Sequence, residues 1–538
     1  MVSFTSIVAK TQRVKGMHIE NTEYITEEVH TNGEVFERGT IIAHVRPFKR
    51  LAHQCPCCRE TRPIYDHKAK DEVYWRGADW NGARILLAYK PARVSCPKCG
   101  VRTEWIPWQD GDSHYLACFN NEVAYFATVA PKTVVAEFFG INWRTVGNCI
   151  AAVHGRLEPD VTVRLRGVKR ICVDETSYKK GHKYITVVYD MDRNRVIWIH
   201  EGRSEEVFSL FCEELTEEER NAMEIVAGDG AQWIDACKNK YFPNATRCVD
   251  FFHVVGWIND ALDRVRIDAT RAAEEELENQ TQEYQQELKK VREEWKEKQQ
   301  SYRNALKLLE KYSKKRGRPS KEVLDARALV AEFEAVFGED ASPDNIDMTP
   351  EQKAHLQKLK ARVSRMSRSK YALGKNPENL TQYQADKLKL IEASNDEVYK
   401  AYRMKEQLRV ILHMKDWEGA ADDLDQWLST AWESGIKPFV ELADKIKRHH
   451  TNIIDAIRCQ VNSSKSESTN TTIKAIIAIA RGFRNLDNLF AMIYLRCSDL
   501  VIPLDNRYRP SNEKVREMRE RANQRRKQRE EANRKAIA

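Results

Sequence analysis

The chain has 538 residues, several times the length of a typical single domain, so three or more modules are expected. Its 88 Lys and Arg exceed 80 Asp and Glu by eight charges, and no apolar run reaches the roughly 18 residues needed to span a bilayer. That argues against a membrane protein, and a start without a charged-then-apolar leader makes a cytoplasmic protein the expectation. Thirteen cysteines in such a chain are expected as thiols and metal ligands, not as a disulfide framework.

Residues 16 to 50 alternate apolar and polar side chains, as in Thr40 to Arg46, and predict short strands. Two Cys-x-x-Cys knuckles follow, Cys55 with Cys58 and Cys96 with Cys99, and four thiolates in that arrangement suit tetrahedral structural zinc. Cys57, His53 and His67 lie close by, so the register of the first knuckle is open. A zinc ribbon is expected within an N-terminal β region over residues 1–110.

Residues 111–160 read as helical. From Lys132 to Phe139 a short helix turns Val135, Ala136 and Phe139 inward, Gly140 permits a turn, and Asn142 can cap a second helix. A helix-turn-helix of this kind would present Trp143, Arg144, Thr145 and Asn148 to a DNA major groove. An ordinary helical hairpin is the competing reading.

From Val168 to His253, strand-like runs at 170–173, 184–190, 196–200, 225–227 and 247–252 alternate with amphipathic segments, the pattern of an α/β unit. The first run is expected to end in Asp174 and Glu175, and the fourth delivers Asp229 between two glycines. On adjacent strands Asp174 and Asp229 would lie close together, as divalent ions that prefer hard oxygen ligands require. Strand alternation would send Glu175 to the opposite face. Asp250 and His253 form an Asp-x-x-His pattern after the last run, either beside a catalytic pocket or at a helix cap.

Between about Asp268 and Lys370 the composition turns to Glu, Lys, Gln and Arg with leucines at helical spacing, predicting a long helical or coiled-coil-like hairpin. At its tip, Arg316-Gly317-Arg318-Pro319 is similar to the minor-groove-binding core of an AT-hook, although a solvated basic loop accounts for it equally well. Trp417 is a candidate for stacking on an unpaired base, against the commoner fate of a core tryptophan. Residues 506–538 form a basic tail.

Five ordered stretches resemble motifs of the ISL-three family of insertion-sequence transposases: Val173 to Thr186, Asp250 to Val255, Lys375 to Thr381, Ser466 to Asn470 and Ala480 to Asn485. The resemblance spans nearly the whole chain. It implies a DDE-type transposase with a ribonuclease-H-like mixed-sheet catalytic domain, in which Asp174, Asp229 and Glu467 would hold two magnesium or manganese ions. It further implies double-stranded DNA as partner, both transposon ends and target, and a homodimer or higher assembly at work. The 238 positions from Asp229 to Glu467 then require an all-helical insertion, expected over 267–455, with the catalytic parts at 165–266 and 456–505. Two positions depart from the family pattern, Ser468 after Glu467 and the Gly-Ala-Gln-Trp run after Asp229. A catalytically inactive or domesticated DNA-binding regulator is the alternative these departures leave open.

Overall fold

The computed structural model describes residues 14–504 except 32–33, 68–70, 112, 180, 314–316, 339–345, 394–395, 462–463, 481 and 484, with isolated positions outside that range. Arg316 and nearly all of the basic tail lie outside the described residues. The chain divides into two compact units, Met1–Thr246 with Ser464–Ala538, and Arg247–Ser463.

In the first unit, β1 (Met17–Thr31) and β2 (Glu34–Pro47) form an antiparallel hairpin. The strands are long where short ones were expected, because alternation continues past the buried stretch Ile41, Ala43 and Val45 into a half that leaves Tyr24, Ile25, Val35 and Phe36 exposed. β-Branched and aromatic residues hold extended backbone there without a core beneath them. Next come β3 (Ile64–Asp66), β4 (Val73–Arg76), β5 (Arg84–Tyr89), β6 (Arg93–Cys96) and β7 (Gly100–Thr103). They complete a four-stranded sheet in the order β1-β2-β5-β4 and a small sheet in the order β3-β6-β7. Trp75, Ile85 and Leu87 fill the core of the larger sheet.

Three helices follow, α1 (Ala117–Ala127), α2 (Lys132–Phe139) and α3 (Trp143–Leu157). Gly140 ends α2 in the left-handed region at φ 59°, where a Cβ would be strained, and the Asn142 side chain accepts from Arg144 N–H to start α3. Val135, Ala136 and Phe139 are buried as expected.

A five-stranded sheet comes next, with β8 (Arg170–Lys179), β9 (Lys183–Asp190), β10 (Arg195–Glu201), β11 (Ile225–Gly228) and β12 (Thr246–Val249) in the order β10-β9-β8-β11-β12. Helices α4 (Glu205–Glu214), α5 (Glu217–Asn221) and α6 (Gln232–Tyr241) connect it, and Ile171, Val173, Val226, Phe208, Phe211 and Ile234 form its core. Two sequence readings are corrected here. β8 runs on to Lys179 because it pairs with β9 over its whole length, so Asp174 sits within the strand and not at its end. The last strand stops at Val249, since Asp250 caps a helix that already includes Phe251 and Phe252.

That helix, α7 (Phe251–Tyr312), runs unbroken for 62 residues, about 90 Å. The expected seam at 266/267 falls inside it. The long helical hairpin expected here is formed by this rod and the shorter α8 (Lys321–Phe337), and α9 (Pro350–Ser367) packs along the same rod. The unit continues with α10 (Lys370–Gly374), α11 (Gln382–Glu392), α12 (Asp396–Ile411), α13 (Trp417–Glu433), α14 (Lys437–Arg448) and α15 (His450–Arg458). Ile258, Leu262, Leu408, Leu424, Phe439 and Ile446 are among its core residues. No described helix is long and apolar enough to cross a membrane. The chain then returns to the first unit through α16 (Ser464–Ile479), which packs on β8, and α17 (Leu486–Cys497), which packs on β10 and α3.

Candidate catalytic site and metal centre

The ligand atoms of Cys55, Cys58, Cys96 and Cys99 all lie within 4.8 Å of one another. The first knuckle therefore uses Cys55 and Cys58, while Cys57 is exposed. Cys96 ends β6 and faces Gly100 across the β6/β7 hairpin, with Gly100 at φ 77°. Backbone N–H groups of Cys58 and Cys57 pull the Cys55 thiol down to about 6, whereas burial pushes the Cys58 and Cys99 thiols up. Four convergent sulfurs without an open position suit a structural zinc ion, which these residues would hold as a fold staple.

A buried carboxylate ties this module to the larger sheet. Glu104 accepts from the backbone N–H of His53 at 2.8 Å and of Ala92 at 2.7 Å, and from the Tyr89 hydroxyl at 2.8 Å. His53 Nδ1 is 3.1 Å away, so this histidine serves Glu104 and stands outside the four-sulfur group.

The aspartates meet through strand register. β11 runs parallel to β8 with Gly228 beside Val173, so the next step along both chains places Asp229 beside Asp174. Gly228 is required for that approach: a Cβ there would stand 2.9 Å from the Val173 carbonyl oxygen and 2.8 Å from Ile234 Cδ1. Each carboxylate is held by a backbone donor, Asp174 by Glu175 N–H at 2.7 Å and Asp229 by Ala231 N–H at 2.9 Å. Glu175 points to the other face, as alternation predicts, and meets Arg203 at 3.4 Å. Burial and the charge of Asp229 push its carboxyl above the usual range.

Helix α16 packs on β8 beside Asp174. Asn470 is buried, its amide donates to Asp174 Oδ2, and its carbonyl oxygen accepts from the hydroxyls of Tyr189 and, at 3.4 Å, Thr176. Burial and the Asp174 charge raise the Tyr189 phenol well above its ordinary value, so it stays a donor. Glu467 lies three positions before Asn470, one turn along the same helical face, and is exposed. Among the described residues only the four cysteines gather within 4.8 Å; the three carboxylates are wider apart than that.

Of the residues expected to read DNA, Trp143, Arg144 and Asn148 are exposed on α3 and Thr145 is half-buried, with the Arg144 guanidinium 5.7 Å from the Trp143 ring. In the helical unit Arg318 is exposed. Trp417 opens α13 at 39% exposure, with the Arg458 guanidinium 5.9 Å from its ring, and is not a core tryptophan. Asp250 is buried and caps α7, accepting from Phe252 N–H at 2.9 Å, while His253 is half-buried in the first turn.

Sequence reading assigned no role to Asn470, Tyr189, Thr176 or Glu104. For Asn470 the signal was present, a polar residue one turn from Glu467 on an otherwise apolar docking face with Ile473 and Ile476. The others are recognisable only once distant strands are brought together.

Comparison with known proteins adds an independent line. A family model described as "Transposase" matches residues 171–349 and 344–493. Two proteins from strains of Mycobacterium tuberculosis, each named transposase for insertion sequence element IS1557, are 32% identical over 455 residues, 85% of this chain and 88% of theirs. The transposase for insertion sequence element IS1001 from Bordetella parapertussis is 22% identical over 84% of this chain and 91% of its own length.

Proposed function

The chain belongs to the ISL-three family of insertion-sequence transposases, and from that premise we propose that it cuts and joins DNA at Asp174, Asp229 and Glu467. The observation that carries the reading is the Asn470 to Asp174 hydrogen bond, which docks the Glu467 helix against the strand where Asp229 is the register neighbour. All three donors are carboxylates, a hard oxygen set suited to magnesium or manganese and unsuited to softer metals.

Bound divalent ions would supply Lewis-acid stabilisation of the attacking and leaving oxygens of an in-line phosphoryl substitution. The chain's own part is positional. Strand register fixes the separation of Asp174 and Asp229, Asn470 orients the Asp174 carboxylate, and α16 carries Glu467 to the same edge. One site of this kind can perform strand cleavage with water and strand transfer with a 3′ hydroxyl as successive nucleophiles.

In this reading the three helices α1 to α3 form a helix-turn-helix that reads terminal inverted repeats through Arg144 and Asn148, supported by their exposure at the start of α3. The zinc module adds contacts to the same DNA, and Arg318 and Trp417 are the candidate contacts of the helical unit. Two ends must be joined, so the working complex contains at least two protomers. The test is metal-dependent cleavage of a DNA carrying the gene's flanking ends, with Glu467→Gln as the inactive control; cleavage that survives this substitution would remove Glu467 from the site.

A further inference from the structure

Helix α3 does not hang on a linker. Its inner face lies against α17, and Gly147 is buried at the crossing, where a Cβ would stand 3.1 Å from the Oδ1 and 3.2 Å from the Nδ2 of Asn488. At the far end of α3 the buried Tyr494 of α17 is met by two groups from the α3 side. The His154 ring stacks on it at 5.4 Å with an interplanar angle of 8°, and the Arg164 guanidinium lies 3.7 Å from its centroid. Arg164 donates to Glu158 at 2.5 Å, and His154 Nε2 lies 3.3 Å from the same carboxylate without a hydrogen bond.

The segment joining α3 to β8 is pinned as well. The Arg164 carbonyl accepts from Arg195 of β10 at 2.9 Å, and the same guanidinium bonds Asp499, just after α17, at 3.0 Å. Asn121 of α1 donates to the Pro503 carbonyl at 2.8 Å. From α17 the chain of packed elements continues through α16 to Asp174.

We propose that Gly147, Arg164 and Tyr494 are positioning residues that make the helix reading DNA and the carboxylate site one rigid piece. The distance from the recognised sequence to the cut phosphodiester is then set by the protein and not searched by a tethered domain. This rests on the proposed DNA-cutting function, but its mechanical half stands independently. A pinned module shares the opening free energy of the elements it packs on, whereas a tethered one opens alone.

The test uses the full chain in two measurements. In native-state hydrogen exchange, the amides of α3 are expected to exchange with the same protection as those of α17; α3 exchanging independently and faster would overturn the proposal whatever the cleavage assay gives. In cleavage mapping, a DNA end whose recognised sequence is shifted by half a helical turn, about five base pairs, is expected to bind unchanged and to be cut at a position displaced by the same offset. Tyr494→Ala is expected to scatter the cuts and to lower cutting at the native position by about tenfold to a hundredfold, with binding held. Tyr494→Phe, which keeps the ring, restores a single cut position. Efficient cutting that stays at the original phosphodiester when the recognised sequence is shifted, or a single sharp cut at full rate in Tyr494→Ala, would refute the inference. A wild-type protein that cuts no DNA while α3 and α17 exchange together would fault the proposed function and leave the rigid coupling standing.

Discussion

The side-chain amide of Asn470 donates to the Asp174 carboxylate across 296 positions of sequence, closing the gap that the helical unit opens between them. Tyr189 and Thr176 hold the Asn470 carbonyl in turn, so the amide cannot rotate away without breaking two further bonds. Replacing Asn470 with Ala is expected to weaken manganese binding and cleavage together by about tenfold to a hundredfold, as loss of a ligand-orienting partner does. Manganese titration followed by electron paramagnetic resonance checks the first and product yield the second. Unchanged metal affinity in Asn470→Ala would leave the residue a purely structural contact.

Gly228 is the tightest point of the sheet edge. A methyl group there meets the Val173 carbonyl, which belongs to the neighbouring strand and cannot rotate aside. Gly228→Ala is expected to destabilise the first unit by about 1–3 kcal/mol and to displace Asp229. Thermal denaturation gives the first effect, and a wild-type melting temperature would contradict it.

Glu104 accepts from three groups while buried. Glu104→Ala strands those donors and is expected to cost about 1–3 kcal/mol and to speed zinc release to a chelator. Release followed with a chromogenic chelator at equal protein concentration distinguishes this from a surface effect, which would leave the rate as in wild type. Cys99→Ser removes a ligand outright, and its purified protein is expected to carry less zinc by elemental analysis than the wild type.

Arg144 and Asn148 are exposed on α3 and free to meet base edges. Each changed to Ala is expected to weaken binding to the terminal repeat by about 1–3 kcal/mol while leaving binding to unrelated DNA nearly unchanged. Fluorescence anisotropy on the two DNAs at one salt concentration measures the difference. Equal loss on both would make these residues phosphate contacts.

Much of this organisation was legible along the chain because it is written in local chemistry. The Cys-x-x-Cys knuckles, the Gly140 turn with its Asn142 cap, and the apolar strand runs each announce themselves within a few residues. What escaped was set by partners far off in sequence. Nothing near Asp174 says that β8 continues to Lys179, since its length comes from pairing with β9. The boundary expected at 266/267 falls inside the 62-residue α7, because nothing local marks where a continuous helix passes from one module to the next. That the strand before Asp250 ends at Val249 likewise depends on the helix start, which the Asp250 side chain caps.

The central claim is tested most directly by incubating the purified protein, Asp229→Asn and Glu467→Gln with magnesium or manganese and a plasmid carrying the gene's flanking DNA, then mapping breaks and joins. The account predicts metal-dependent cuts at defined ends, followed by joining, that vanish in both variants while DNA binding persists. Specific binding by the wild type with no cleavage in either metal, or cleavage that survives either substitution, would contradict it.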